Sequence, residues 1–533
     1  MRKKKIESIG INNISRDFEQ GRQFVENTLK ADKASKTASS EALLVFESIY
    51  HNIEEQTKED DPVLKICREK HWGSTSIVIE YEGEMYIPAD FNGQDLSLED
   101  MILKAYNEKL DYSYVNGINS IQITIKHSCG RTLIPCVLGF LLAVIVYILL
   151  RCFFSEEENH YILSGVIFPF EKWSANLLLM VGAPVTFISY LKNLTDTYII
   201  LGRRSSVRKI RQSIIVSSVS AILMALVISW IVMWLVPNMS IDHRSPLSVS
   251  ESFQEALATL IPSDIFTPFM VTSPFPLLIL ATVVASALCT VGKYFDRLKR
   301  AIDTCYVLFS RILTIIMYGL PFFVFLAFLD VMLSMGMGAL SFYGKVLTTV
   351  LVSFLLLGIF YLIRLARKKI PVRSFIREIG PLLLENYRIG SAIDAEAYNI
   401  RYCAKTWKMD RKMLEINIPV LSEINLDGNC FFLTLLPIIM MFSGNSEVHI
   451  TDMLLIGVLV FYLSLGAPNQ PGSVLIGMLI ILNFMRADVL ISAAFIYEAF
   501  FGGLLNIVNV IGDIITVYEL DMDDRIISNG QSK

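Results

Sequence analysis

The chain has 533 residues, 53% of them hydrophobic, a formal net charge of −4 and a mean hydropathy of +0.50. That is too apolar for a soluble enzyme of this size and fits a chain that crosses a bilayer repeatedly. The small net charge gives no ground for a nucleic-acid partner, and the lack of a phosphate-binding glycine loop or a GxSxG elbow removes the motif grounds for an NTPase or a hydrolase.

Polarity divides the sequence near residue 130, with charged residues dense before His127 and apolar runs dominant after Thr132. The opening MRKKK is basic, but Ile6 to Glu19 holds no apolar core, so a cleaved signal peptide is not expected. The first part predicts an amphipathic helix over Ile14–Leu29 and a second helix over Ala38–Gln56. STSIVIEYEGEMYIPA reads as a hairpin turning at Glu82-Gly83, followed by a helix around Leu98–Leu110 and a last strand over Ser120–Lys126. Helices on one face of an antiparallel sheet make an α+β accessory domain, residues 1–130. The eight cysteines have no CxxC spacing and the six histidines no metal-site spacing, so no resident metal or cofactor is expected.

Spans of about 20 apolar residues are expected to cross lipid. They are predicted at Leu133–Leu150, Ala175–Leu191, Ile214–Val236, Pro274–Leu288, Val307–Met332, Val346–Ile363, Ile416–Phe442 and Val489–Tyr518. Basic residues collect on the cytoplasmic side. Arg203, Arg204, Arg208, Lys209 and Arg211 follow the second span, Lys293, Arg297, Lys299 and Arg300 precede the fifth, and Arg364, Arg367, Lys368, Lys369 and Arg373 follow the sixth. The alternate loops, SEEENH, NMSIDHRS and SGNSEVHITD, are acidic or nearly neutral, which places both termini in the cytoplasm.

Two segments break this alternation. The stretch around Ser391 has basic residues on both flanks, Arg373 and Arg377 before it and Arg401, Lys405, Lys408, Arg411 and Lys412 after it. Leu454–Leu482 turns at GAPNQPG, whose Pro and Gly cannot continue a helix, and both its flanks count as external. Each reads as a re-entrant helical hairpin, one from each face. The expected fold is a polytopic α-helical membrane protein with eight transmembrane helices, two re-entrant hairpins and an N-terminal soluble α+β domain. Discontinuous helices meeting at mid-membrane are the usual frame of a transporter's binding site.

The chemistry concentrates in two short blocks. PVLSEINLDGN, Pro419 to Asn429, sets Asn425, Asp427 and Asn429 in an apolar surround, and NIVNVIGD ends another apolar segment with Asn509 and Asp513. A carboxylate at membrane depth costs several kcal/mol unless matched, which makes it a functional candidate. Carboxylate and amide oxygens suit a small hard cation. Such residues also cap broken helices and bond between helices. In that case two Asp with no Lys or Arg in their own segments would stay uncompensated.

These blocks resemble the dicarboxylate/amino acid:cation symporter family, the glutamate-transporter fold. The family's NMDGT appears as NLDGN (Asn425 to Asn429), its SxGxxxxPG as SLGAPNQPG (Ser464 to Gly472) and its NVTGD as NVIGD (Asn509 to Asp513), with the similarity running from about Leu133 to Leu520. The resemblance implies a homotrimer in a plasma or inner membrane and an elevator-like symport of a small organic solute with Na⁺ or H⁺. It divides the chain into the accessory domain, a symporter domain over 131–520 and a cytosolic tail over 521–533. It carries the cation-ligand role to Asn425, Asp427, Asn509 and Asp513 and to the hydroxyls of Ser217 and Ser218, though a neighbouring family Tyr is Ile214 here. Solute contacts fall to Ser391, Asn429, Gly466, Asn469, Gln470, Pro471, Gly472, Gly502, Leu505 and Asn506.

The pattern departs at the solute. Glu498, Gly502, Leu505, Asn509 and Asp513 share one helix face, and where the family has an Arg and an Asp for an acidic amino acid, this chain has Leu505 and Gly502. A typical acidic amino acid is therefore not the expected solute; the acidic, amide-lined face favours a neutral or cationic one. Glu423 and Glu498 are left as carboxylates that either carry a proton or a cation or only bond to neighbouring groups. The order of elements in residues 1–130 resembles a histidine-kinase-like ATPase fold, but Glu47 and Asn52 stand off its spacing and no DxGxG box follows, so a degenerate regulatory module is expected. The rival reading is a transporter-derived membrane sensor that signals through this domain.

Overall fold

A computed structural model describes residues 4–11, 14–31, 36–56, 63–71, 74–83, 103, 110–115, 117–126, 133–201, 207–235, 261–270, 274–336, 338–389, 392–443, 448–467, 472–485 and 491–531.

The N-terminal part forms a five-stranded antiparallel sheet of order β1-β2-β3-β5-β4, from β1 (Lys4–Ile11), β2 (Leu64–His71), β3 (Ser74–Glu82), β4 (Leu110–Val115) and β5 (Ile118–Lys126). Helices α1 (Ile14–Ala31) and α2 (Lys36–Gln56) lay Val25, Leu29, Phe46, Ile49 and Ile53 against Ile66, Ile77, Ile79, Ile121 and Ile123 of the sheet. Of the hairpin expected to turn at Glu82-Gly83, the first arm is β3 and the second lies outside the described residues. Both edges of β3 are taken, by β2 and by β5, and the amide of Gly83 bonds the carbonyl of Gly117. Of the helix expected around Leu98–Leu110, most residues lie outside the described ones, and Leu110 begins β4. Strands β1 and β2 escape a pattern reading because KKIESIGI and LKICREKH mix charged with apolar residues and keep no clean alternation.

The membrane part follows with α3 (Leu133–Phe153), α4 (Glu156–Ile162), α5 (Phe168–Leu201), α6 (Val207–Leu235), α7 (Pro274–Leu288), α8 (Phe295–Met317), α9 (Leu320–Met335) and α10 (Gly338–Arg367). After these come α11 (Val372–Ile389), α12 (Ala392–Trp407), α13 (Arg411–Ile424), α14 (Asp427–Ser443), α15 (Ile450–Gly466), α16 (Ser473–Phe484) and α17 (Ile491–Gln531). Short α4 is started by a capping box in which Ser155 and Glu158 bond each other's backbone amides.

Among the described residues, six helices are long and apolar enough to cross a membrane, or seven if α8 and α9, bent by 51° at their junction, count as one. The expected eighth span is α7, only 15 residues long and too short to cross alone. The segments read as hairpins are two helix pairs, α11 with α12 and α15 with α16. Residues 521–531, expected as a tail, continue α17 without a break.

Burial separates the layers. In α3 only 22% of the spanning window is buried, and Leu138, Leu141, Leu142 and Ile145 face outward, as a lipid-facing helix requires. In the α13–α14 window 94% is buried. Helix α17 packs against α9, α11, α13, α14 and α16, so α13–α14 and α17 form the centre of the membrane part.

Candidate cation and solute site

The centre is a crossing of two interrupted elements. Helix α13 stops at Ile424; Asn425 leaves helical geometry (φ −89°, ψ 73°), and α14 restarts at Asp427. A restarting helix has amide groups with no partner in its own turn. Asn509 of α17 supplies one: its Oδ1 accepts from the amides of Gly428 at 2.8 Å and Asn429 at 3.4 Å, while its Nδ2 donates to Asn429 Oδ1 at 3.1 Å. Across the same gap Asn425 Nδ2 donates to Asp513 Oδ1 at 2.9 Å.

Two glycines permit the approach. A Cβ on Gly428 would stand 2.9 Å from the Leu505 carbonyl oxygen and 3.0 Å from Asn509 Oδ1. On Gly512 it would stand 2.8 Å from Asp427 Oδ2 and 3.1 Å from the Tyr361 hydroxyl. The NLDGN and NVIGD blocks therefore interlock, each glycine seated against the other block's polar atoms.

Asn425, Asp427, Asn509 and Asp513 are all at most 2% exposed. Oδ2 of Asp427 accepts from Ser217 Oγ of α6 and from the Tyr361 hydroxyl of α10. Among the described residues its other oxygen, Oδ1, has no hydrogen-bond partner, and neither have Asn425 Oδ1 and Ser218 Oγ. Buried polar atoms are nearly always bonded, and each exception needs an explanation. All three belong to the residues singled out as cation ligands, and three unmatched oxygens beside two carboxylates are a donor set that fits a small hard cation.

The electrostatics differ from the sequence reading in one respect. The Asp pair is not without a basic neighbour: Arg364, at the end of α10, donates from Nη1 to Ser217 Oγ at 3.0 Å, one hydroxyl away from Asp427. It also grips Glu519 of α17, with Nε–Oε1 at 3.2 Å and Nη2–Oε2 at 2.8 Å. Read in the sequence as loop charge, Arg364 is turned inward. The spacing held a signal, since Arg364 on α10 and Lys368 just past its end match Glu519 and Asp523 on α17 at equal intervals, and Lys368 meets Asp523 at 2.8 Å. Tyr361, one turn earlier, carried no such signal.

The solute candidates are more dispersed. Ser391, Asn469, Gln470 and Pro471 lie outside the described residues. Asn429 joins the crossing through Asn509. Asn506 Nδ2 donates to the Asn386 carbonyl of α11 at 2.9 Å, and its Oδ1 has no partner among the described residues. Leu505 is buried against the crossing. Gly466 closes α15 against the Tyr190 ring, and Gly472 opens α16. Glu498 faces Gly502 and the backbone amides of Gly472 and Leu475 at the start of α16.

Glu423 turns away from the crossing, to Lys192 Nζ of α5 at 2.7 Å, which also meets Asp196 at 3.1 Å. Lys299 extends this chain, reaching Asp196 at 3.0 Å. Glu396 of α12 accepts from Ser422 Oγ, close to the break after α13.

A family profile described as the sodium:dicarboxylate symporter family matches residues 129–521. No curated protein matches the chain.

Proposed function

This chain belongs to the sodium:dicarboxylate symporter family, and from that premise we propose that it carries a small organic solute across the membrane together with Na⁺ or H⁺. The observation that carries the reading is the α13–α14/α17 crossing. It gathers Asn425, Asp427, Asn509, Asp513 and Ser217 from segments far apart in sequence and leaves three of the site's buried oxygens, on Asn425, Asp427 and Ser218, without partners. A cation arriving there gives those oxygens what the folded chain does not.

In this reading Asn425, Asp427, Asn509 and Asp513 hold the ion, with Ser217 and Ser218 supplying hydroxyl oxygens. The solute lies toward Asn506 and the junctions of the two helix pairs, which act as re-entrant hairpins. Because α6, α10, α13, α14 and α17 share one hydrogen-bond network, they would travel as one body, which suits an elevator-like movement within a homotrimer. Leu505 supplies no charge for a side-chain carboxylate, so the solute is neutral or cationic rather than an acidic amino acid. Both termini lie on the cytoplasmic side, supported by the pairing of the last part of α17 with the basic end of α10.

The test is thermal unfolding of the purified protein in Na⁺, K⁺ and choline, beside Asp513→Asn. A ligand that binds only the folded state stabilises it by RT ln(1 + [L]/Kd), so the solute need not be known. A rise specific to Na⁺ and lost in Asp513→Asn is the expected result. Equal unfolding in all three salts at every pH tested would defeat the coupling site.

One observation supports the second reading, a sensor acting through the N-terminal domain. Helix α2 packs on α12, Ala397 sits in the core of the N-terminal domain, and Glu47 receives Arg401 and Arg411, each at 2.9 Å. Uptake driven by an ion gradient separates the two readings, because a sensor would bind the ion without accumulating solute.

A further inference from the structure

Arg364 stands where its charge must matter to any ion at Asp427. We propose that its guanidinium is a built-in competitor of the coupling cation, and that it sets how tightly the Asp427 pocket holds that ion. The proposal rests on the coupling-cation reading above.

Ser217 is the shared element. Its hydroxyl donates to Asp427 Oδ2, and its oxygen accepts from Arg364 Nη1 at 3.0 Å. The oxygen that would ligate a cation is thus already bound to a positive group. The remaining ligand oxygens, Asp427 Oδ1, Asn425 Oδ1 and Ser218 Oγ, are unmatched. An ion bound to them lies one hydroxyl away from a fixed guanidinium, with little water to screen the pair.

The guanidinium has somewhere else to bond. Glu519 takes it through two hydrogen bonds and Thr516 Oγ1 accepts from Nη2 at 3.2 Å, with the Arg364 and Glu519 side chains 15% and 16% exposed. When a cation enters, Arg364 can release Ser217 and keep Glu519. Bidentate pairing of Arg with a carboxylate is strong and directional, so the fork defines where the arginine rests once it lets go. Helix α10 therefore presents two groups to the site from one face: the Tyr361 hydroxyl, which supports the charge of Asp427, and the Arg364 cation, which opposes an incoming one.

A purely structural ion pair would look the same in its contacts with Glu519, and the experiment has to separate the two. Na⁺ affinity is read from Na⁺ titration of the thermal unfolding midpoint and by calorimetry on the purified full chain. Three variants are compared: Arg364→Gln, Arg364→Lys and the charge-balanced Arg364→Gln/Glu519→Gln. Removing one unit charge at this range is expected to tighten Na⁺ binding about tenfold in Arg364→Gln. Arg364→Lys keeps the charge but loses the fork, so it should stay near the parent affinity. The double variant removes both the opposing and the more distant attracting charge, leaves no unpaired group at 519, and should still bind more tightly than the parent.

Unchanged or weaker Na⁺ binding in Arg364→Gln and in the double variant, with the parent responding to Na⁺, would overturn the proposal and leave the coupling site standing. Equal tightening in Arg364→Lys and Arg364→Gln would also overturn it, because loss of packing rather than charge would then be the cause. A response that appears only in the two variants without a positive charge at position 364 would support it in its strongest form. No Na⁺ response in any of the proteins would remove Na⁺ as the coupling ion and this inference with it.

Discussion

Glu47 and Asp427 are both buried carboxylates, and their surroundings could hardly differ more. Glu47, on α2, is met by three guanidinium groups: Arg401 and Arg411 at 2.9 Å and Arg22 at 3.5 Å. Asp427 is met by two hydroxyls on one oxygen and, among the described residues, by no hydrogen-bond partner on the other. A carboxylate with more positive charge than it needs holds segments together. One with less than it needs, at the centre of an apolar bundle, suits a partner that comes and goes. In the proposed reading the same chemical group is thus a fastener at the domain junction and a ligand in the membrane core.

The contrast breaks most directly at the core. Asp513→Asn should abolish ion-dependent stabilisation, a loss of about 2.7 kcal/mol at an ion concentration of 100 Kd, read as a midpoint that no longer moves with Na⁺. Gly512→Ala should destabilise the protein by about 2 kcal/mol in salt-free buffer, because its new carbon would meet Asp427 Oδ2 at 2.8 Å. An unchanged midpoint there would mean that the two blocks do not interlock.

At the junction the effects are smaller and of another kind. Glu47→Ala should cost about 1–2 kcal/mol, since Arg411 keeps Glu415, Arg22 keeps Glu19 and Glu26, and Arg401 reaches water in part. Faster hydrogen exchange in α12 with an unaltered Na⁺ response is the expected result; a changed response would erase the distinction between fastener and ligand. Lys368→Ala should shift stability by about 0.5 kcal/mol or less, as Lys368 and Asp523 are each 38% exposed. It serves as the control for Arg364, one turn away and almost fully enclosed.

The parts of this site that were legible in the sequence are those whose chemistry is local. NLDGN and NVIGD carry their Asn, Asp and Gly within a few residues, and an acid inside an apolar run announces its own cost. The strands β1 and β2 were not legible, because charged residues interrupt their apolar positions, and Ile11, Leu64 and Ile66 join a core only once α1 and α2 fold over the sheet. Glu423 looked like a site carboxylate from its place beside Asn425, yet the end of α13 points it at Lys192, 231 positions away in sequence.

Composition, hydropathy and three short motifs were enough to establish a multi-pass membrane protein of this family, because each depends on residues near one another along the chain. Which charges face each other depended on how helices pack. Arg364 belongs by sequence to a basic cluster that marks a membrane edge, and Ser217 to an apolar helix. Only the packing of α6, α10, α14 and α17 brings that arginine, that hydroxyl and Asp427 into one line of hydrogen bonds. Electrostatic energy falls with distance in space and takes no account of separation in sequence, so the balance of charge at the site was decided by the fold alone.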